Sequence, residues 1–398
     1  MAEILIAGGG IGGLAAALGL ARRGHRITVL ESREVFTEVG AGIQLGPNAF
    51  RALDLLGVGR EVRDRAVVVD ELRFMDGTTG ERVAAMPVGP EYRARFGNPY
   101  AVVHRVDLYL PLLEAVRRHP GVELLGRHRV VGYEQRAGTA AAVLADGRRI
   151  TGDALIGADG LHSAVRRQLV GDGAPRVSGH TIYRTVIPAE EVPQELRPNA
   201  VTLWAGPKWH FVHYPVSSGR YVNLAATRDD GAAEAVAGVP TGDGDVLAAF
   251  PELSGAARRL LELGRDWKAW VLCDRDPVER WTEGRVALLG DAAHPMLQYA
   301  AQGACQAVED AVVLSGLLDG CPADFEQRLE KYGAARRERT ARVQLVAREM
   351  GRRLYHAAGG ARVERNAMLS SLAPAAMYDE VAWLHGREGF DPAAPEAG

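Results

Sequence analysis

The chain opens with a strand, a glycine-rich turn and a helix: Ile4-Leu-Ile-Ala7, Gly8-Gly-Gly10-Ile-Gly-Gly13, then small residues from Leu14 to Arg23. The first apolar run is continuous rather than alternating, the pattern of a parallel strand buried on both faces. In G-x-G-x-x-G, Gly8 permits the tight turn and Gly10 lets backbone N–H groups approach a pyrophosphate. Gly13 lets the helix lie close on the strand. The helix N-terminus adds about half a positive charge facing the phosphates. A second strand, His25 to Leu30, ends at Glu31, where such folds set a carboxylate on a ribose 2′-hydroxyl. A lone glycine triplet means little, but strand, helix, strand and acid in register predict a dinucleotide-binding α/β fold.

Two further strand–loop–helix units come later in the chain. In Asp153-Ala-Leu-Ile-Gly-Ala-Asp159-Gly160-Leu-His-Ser163-Ala-Val-Arg166 an apolar strand ends at an acid, although Asp159 and Ser163 serve equally as helix caps. In Val286-Ala-Leu-Leu-Gly290-Asp291-Ala-Ala-His294-Pro295 the strand ends at Gly-Asp, and a long helix begins after Gly303. Between these units, strand-like pieces over 181–187, 200–205, 209–215 and 221–226 are rich in aromatic residues. They predict a mostly antiparallel inserted domain with a small-molecule site. Residues 67–75 read as one strand before an Asp76-Gly77 turn, and residues 89–99 as irregular. The expected partition is a discontinuous Rossmann-like domain over 1–75, 98–178 and 271–322, and a substrate domain over 76–97 and 179–270. C-terminal helices take 323–389, and a disordered tail takes 390–398. The charges of the helix over 323–350 read as a solvated face. Its apolar side would pack on the core or on a second subunit, which leaves a homodimer open.

Charge and cysteine usage remove several classes. A net charge of −3 without a basic cluster leaves no nucleic-acid footprint. Cys273, Cys305 and Cys321 are odd in number and widely spaced, so reduced thiols are expected rather than disulfides or a zinc site. With no apolar run long enough to span a bilayer and no signal peptide, a soluble cytoplasmic protein is expected.

Three strand–acid–helix units in this order are more specific than any one of them. With them, residues 1–345 resemble the single-component flavin-dependent aromatic hydroxylases, the group A FAD monooxygenases. The chain is most similar to their 3-hydroxybenzoate 6-hydroxylase and salicylate hydroxylase branch, through residues 40–49 (GAGIQLGPNA) and 290–299 (GDAAHPMLQY). The resemblance implies one FAD, held by Gly8, Gly10 and Gly13, with Glu31 on the adenosine ribose and Arg105 on the ribityl–phosphate part. It places Gln44 near the isoalloxazine and Gly290-Asp291 on a ribityl hydroxyl. Asp159, helped by Arg166, would support the phosphates. The N–H groups of Gly303 and Ala304 would face the N1–O2 edge of the reduced flavin, and Pro295 would lie over the face where oxygen reacts. With one fingerprint only, a nicotinamide reductant visits transiently; the branch implies NADH, and NADPH stays open.

The implied reaction joins an electron-rich ring to O2 through a flavin C4a-hydroperoxide, so the phenol must lose its proton, and His is the usual base near neutral pH. In Trp209-His210-Phe-Val-His213-Tyr214, strand parity puts His210 and Tyr214 on one face and His213 on the other. Matching positions in the branch imply His210 as base, Tyr214 as hydrogen-bonding partner or relay, and Gln298 as positioning group. A strand histidine beside a tyrosine is also an ordinary buried pair. Arg184 has two readings, the partner of the substrate carboxylate or a surface or flavin-facing cation. His294 is expected to be structural. No metal is expected, because His210 and His213 straddle the strand without a third ligand. Salicylate 1-hydroxylases commonly carry Pro where Gln298 stands, which favours 3-hydroxybenzoate going to gentisate. Salicylate to catechol, or another phenolic acid, stays open, as does a non-catalytic FAD-binding protein.

Overall fold

The continuous apolar runs form a six-stranded sheet in the order Thr282–Glu283, Val286–Leu288, Ala154–Gly157, Glu3–Ala7, Arg26–Leu30 and Val122–Leu125. Every neighbouring pair is parallel except the first. The computed structural model describes residues 1–387 except Val39, Ser254 and Cys321. The expected tail over 390–398 and the Cys321 thiol therefore lie outside the described residues. Helix Ile11–Arg22 is buried on almost every side. Its small residues let helix Gly303–Leu317 come close: a Cβ on Gly19 would sit 2.8 Å from Ser315 Oγ. The strands that end at Asp159 and at Gly290-Asp291 are neighbours, and Glu3–Ala7 lies between them and the strand ending at Glu31. All four are parallel, so their carboxyl ends lie on one edge of the sheet, where ligands of open α/β sheets bind.

The inserted region forms an eight-stranded sheet: Ala237–Pro240, Lys268–Asp274, Arg176–Pro188, Tyr221–Ala232, Trp209–Val216, Ala200–Gly206, Glu71–Asp76 and Arg82–Pro87. Only the pair Ala200–Gly206 and Glu71–Asp76 is parallel. This corrects the reading of 67–75 as one strand. Val67–Val68 pairs with Ala101–His104, whereas Glu71–Asp76 belongs to the large sheet, which therefore begins near residue 71 rather than 76. The chain changes sheets where Val69 N–H donates to Tyr100 O and Asp70 N–H to Asn199 O. Residues 89–99 are not irregular either: Pro90–Phe96 is a helix, with Pro in its first turn and Gly97 left-handed at its end. Those stop and start signals outweigh its polar composition, and Tyr92 and Phe96, one turn apart, are buried.

Helix Phe325–Glu349 packs on helix Gly303–Leu317 and on the Thr282–Glu283 and Val286–Leu288 edge, and helices Gly359–Ser371 and Pro374–His385 pack on the Arg82–Pro87 strand. There Tyr378 Oη donates to Pro87 O and Asn366 Nδ2 to Asp76 Oδ2, both at 2.8 Å. The charges of the long helix are not all solvated. Arg336 is buried between Glu309 and Asp310, with 2.7 Å contacts to both. Among the described residues no helix is long and apolar enough to cross a membrane.

Candidate active site

Two helices present bare N-termini to one cleft. Helix Ile11–Arg22 has Gly10 as its N-cap, and helix Gly303–Leu317 has Gln302; neither receives a side-chain cap or carries an acid in its first turn. Uncapped N–H groups and the helix dipole make each end a seat for negative charge. The cleft between them holds about 1020 Å³ and is lined by Gly10, Gln44, Arg105, Asp291, Gly303 and Ala304, among others.

The glycines are there for contact. Gly8 has φ +103°, and a Cβ on it would lie 2.3 Å from Ala158 O; one on Gly13 would lie 2.0 Å from Gly8 O. A Cβ on Gly10 would meet nothing within 4 Å. Gly8 and Gly13 therefore close the turn, and Gly10 leaves room for a ligand. Glu31 ends its strand beside this turn, with Oε2 accepting from Gly9 N–H and Oε1 from Arg33 N–H. Gln44 is fixed by Tyr100 Oη, and Arg105 is ion-paired with Glu38. Asp291 is exposed to the cleft on the turn Gly290–Ala292, where Gly290 has φ +61°. The glycine turn, the two uncapped helix N-termini and a cleft of this volume fit FAD.

The Asp159 carboxylate accepts from Ser163 Oγ and from Ala164 N–H, so it braces the start of its own helix. Pro295 is buried, and its carbonyl accepts from Gln344 Nε2. Met296 and Gln298 beside it line the cleft. Arg166 acts from behind, donating to the carbonyls of Ala292 and Ala293 and pairing with Asp172. His294 is structural, stacked on Trp281 with Nε2 2.6 Å from Asp310 Oδ2.

At the far end of the cleft, strand Trp209–Val216 contributes His210, Val212 and Tyr214 on one face. His213 is on the other face, stacked on Trp204 and Phe211. His210 sits opposite Thr227, whose Oγ1 accepts from Gln298 Nε2 at 3.2 Å. Gln298 Oε1 in turn accepts from Arg184 Nη2. The Arg184 Nε is buried without a partner, and among the described residues no carboxylate pairs with this guanidinium. A shielded guanidinium without a carboxylate partner is an expensive arrangement that an incoming carboxylate would relieve. Burial drives the His210 imidazole well below its ordinary range, with His356 and His180 adding to the effect, so it is neutral, and an opposite charge must form beside it for it to hold a proton. Burial raises the Tyr214 phenol, which keeps its proton as a donor.

Some neighbours of His210 left no trace in the sequence. His356 Nε2 lies 2.8 Å from His210 Nδ1, across 146 residues of chain. Tyr299 and Tyr355 pack their rings on His210. Met368, Leu372, Met377 and Val381 of the C-terminal helices wall the same cleft. Only the third strand–loop–helix unit pointed at Tyr299; nothing in spacing or motif marked the others.

Comparison with known proteins agrees with this geometry. The FAD binding domain family matches residues 1–347. The chain is 50% identical to 3-hydroxybenzoate 6-hydroxylase 1 of Aquipseudomonas alcaligenes, over 97% of this chain and 98% of that one. It is 46% identical to 3-hydroxybenzoate 6-hydroxylase of Polaromonas naphthalenivorans, over 96% and 95%. A salicylate hydroxylase in complex with substrate superposes with a TM-score of 0.83 at 26% identity, covering 98% of this chain and 96% of that one.

Proposed function

The chain belongs to the FAD binding domain family, and from that premise we propose that it is a monooxygenase converting 3-hydroxybenzoate to gentisate with NAD(P)H and O2. One observation carries the reading: the neutral imidazole of His210, the amide of Gln298 and the guanidinium of Arg184, which no carboxylate of the described residues pairs, line the same cleft as Gly10, Asp291 and Gly303. Bound FAD supplies the electron transfer and oxygen activation. Gly10 and the N-terminus of the Ile11 helix would seat its diphosphate, Asp291 would hold a ribityl hydroxyl, and the Gly303 and Ala304 N–H groups would face the flavin ring. Arg184 holds the aromatic carboxylate, and Gln298, fixed by Thr227 and Arg184, orients the ring. His210 removes the phenolic proton, which pushes electron density to the para carbon, and Tyr214 donates to the resulting oxygen.

The deciding test is turnover with NADH and with NADPH, on 3-hydroxybenzoate and on salicylate, with products separated by chromatography. Gentisate from 3-hydroxybenzoate supports the reading. Catechol from salicylate alone replaces the substrate, and no ring-stimulated flavin reduction removes the aromatic acid altogether. Two variants test single contacts. Arg184→Met is expected to raise the KM for the aromatic acid by about 10- to 100-fold, the size of a lost charge-assisted hydrogen bond; an unchanged KM leaves Arg184 as a surface or flavin-facing cation. Asp291→Ala is expected to weaken FAD binding by about tenfold or more, read as flavin content after gel filtration. Full retention counts against the ribityl contact.

A further inference from the structure

The role of His356 rests on the reading of His210 as the base. His210 Nδ1 is taken by His356 Nε2 at 2.8 Å, which leaves its Nε2 for the cleft that the ring lines. His356 comes directly after the π-helix Met350–Tyr355, an insertion-like turn of the kind that recurs at functional sites. Its carbonyl accepts from Lys208 N–H, which pins it to the start of the His210 strand. His356 is buried, and its Nδ1 has no hydrogen-bond partner. A side chain kept only for packing would be cheaper without that orphaned nitrogen. His180, from strand Arg176–Pro188, lies 4.9 Å from it between ring centroids and is only partly buried. His180 Nδ1 contacts the hydroxyl of Tyr299, and Asp229, Asp230 and Asp274 lend it negative potential. The other rings against His356 are His210, from strand Trp209–Val216, and Tyr299, from the Gln298–Ala300 turn. Histidines therefore lead from the ring site toward the surface.

We propose that His356 is a second proton carrier behind His210: as His210 Nε2 takes the proton of the substrate phenol, the Nδ1 proton of His210 passes to His356 Nε2. At His210 one N–H bond forms and one breaks. The phenol O–H bond breaks, an N–H bond forms at His356, and no electron changes hands. The negative charge rests on the phenolate and the positive charge on the imidazole nearer to His180 and its aspartates. Burial holds His356 down at about 3, with His180 adding to the effect, so it is neutral before the transfer. The phenolate formed beside the pair supplies the opposite charge that burial otherwise denies it.

The test reads the ionisation of bound substrate rather than turnover. 3-Hydroxybenzoate carrying ¹³C at its phenolic carbon is titrated by NMR on the oxidised holoenzyme of the parent, His356→Phe and His356→Gln. Both variants are expected to lower the ionised fraction at a given pH on the order of tenfold, with flavin content and KM held and kcat reduced. An unchanged titration in His356→Phe overturns the carrier. So does full rescue by His356→Gln, whose amide oxygen accepts the His210 proton in a hydrogen bond but cannot carry it. His210→Phe is titrated in parallel. If it shifts the phenol and His356→Phe does not, the carrier alone falls; if neither shifts it, the base assignment falls with it.

Discussion

The His210→Phe enzyme is expected to be yellow and reducible by NADH, yet to form gentisate about 10²- to 10⁴-fold more slowly than the parent, the range of a lost general base. Phenylalanine keeps the ring that packs on Tyr299 and Tyr355, at 5.4 and 5.0 Å between centroids, and removes both nitrogens. The proposed FAD contacts at Gly10, Asp291 and Gly303 belong to other elements, so flavin content reports folding independently of chemistry. The measurement is product formed per NADH consumed, with flavin absorbance as the internal control. A parental rate would remove His210 from the chemistry. Linkage supplies a second readout. The folded His210 titrates well below its ordinary value of 6.5, so in the parent the unfolded chain binds this proton first as pH falls below 6.5. Stability is lost there on acidification. The variant lacks that contribution, and its stability should fall less steeply below pH 6.5.

What the sequence disclosed was local chemistry. The Gly8–Gly13 turn and the helix start at Gly303 are each set by a few adjacent residues, and each lies where those residues predict it. Strand parity placed His210 and Tyr214 on one face because the β period is two and tolerates no drift over four residues. The side-chain direction of a residue in an irregular turn has no period, so the turn after Gly290 could not be read residue by residue: Met296 and Gln298 line the cleft and Pro295 is buried. Asp159 shows an ambiguity that a motif cannot resolve, since an acid at a strand end serves a ligand or the next helix, and here its carboxylate bonds to Ser163 and Ala164 at the helix start. His356 and the C-terminal wall were illegible because a tertiary pairing across 146 residues leaves no spacing to read. The same holds for Arg336, one of many arginines on a polar helix, whose burial depends on acids on the Gly303 helix.

Replacing that arginine is expected to be the most damaging single change away from the ring site. Arg336 Nε donates to Asp310 Oδ1 and Nη1 to Glu309 Oε2, both at 2.7 Å, and Nη2 reaches Gln306 Oε1. Glu309 is also held by Arg339 and Asn48. Asp310 Oδ2 accepts from the N–H of Gly290 and contacts His294, so the pair also fixes the turn that presents Asp291. Arg336→Met keeps much of the volume but strands buried carboxylates beside fewer cations, at a cost of about 3–5 kcal/mol. Flavin retention should drop as the Gly290 turn loosens. Burial alone would raise the Asp310 carboxyl, but His294 and Arg336 outweigh it and bring it down to about 2 from 3.8. In the parent this stabilisation is therefore complete above about pH 4 and is lost as pH falls toward 2. In the variant, burial works against a weakened set of partners, so Glu309 and Asp310 rise and take up protons at higher pH than in the parent. The deficit in thermal midpoint should be largest near pH 8 and narrow by pH 5, where protonation relieves the stranded charge. A deficit of equal size at both pH values would mean that lost packing, not unpaired charge, is what the arginine prevents.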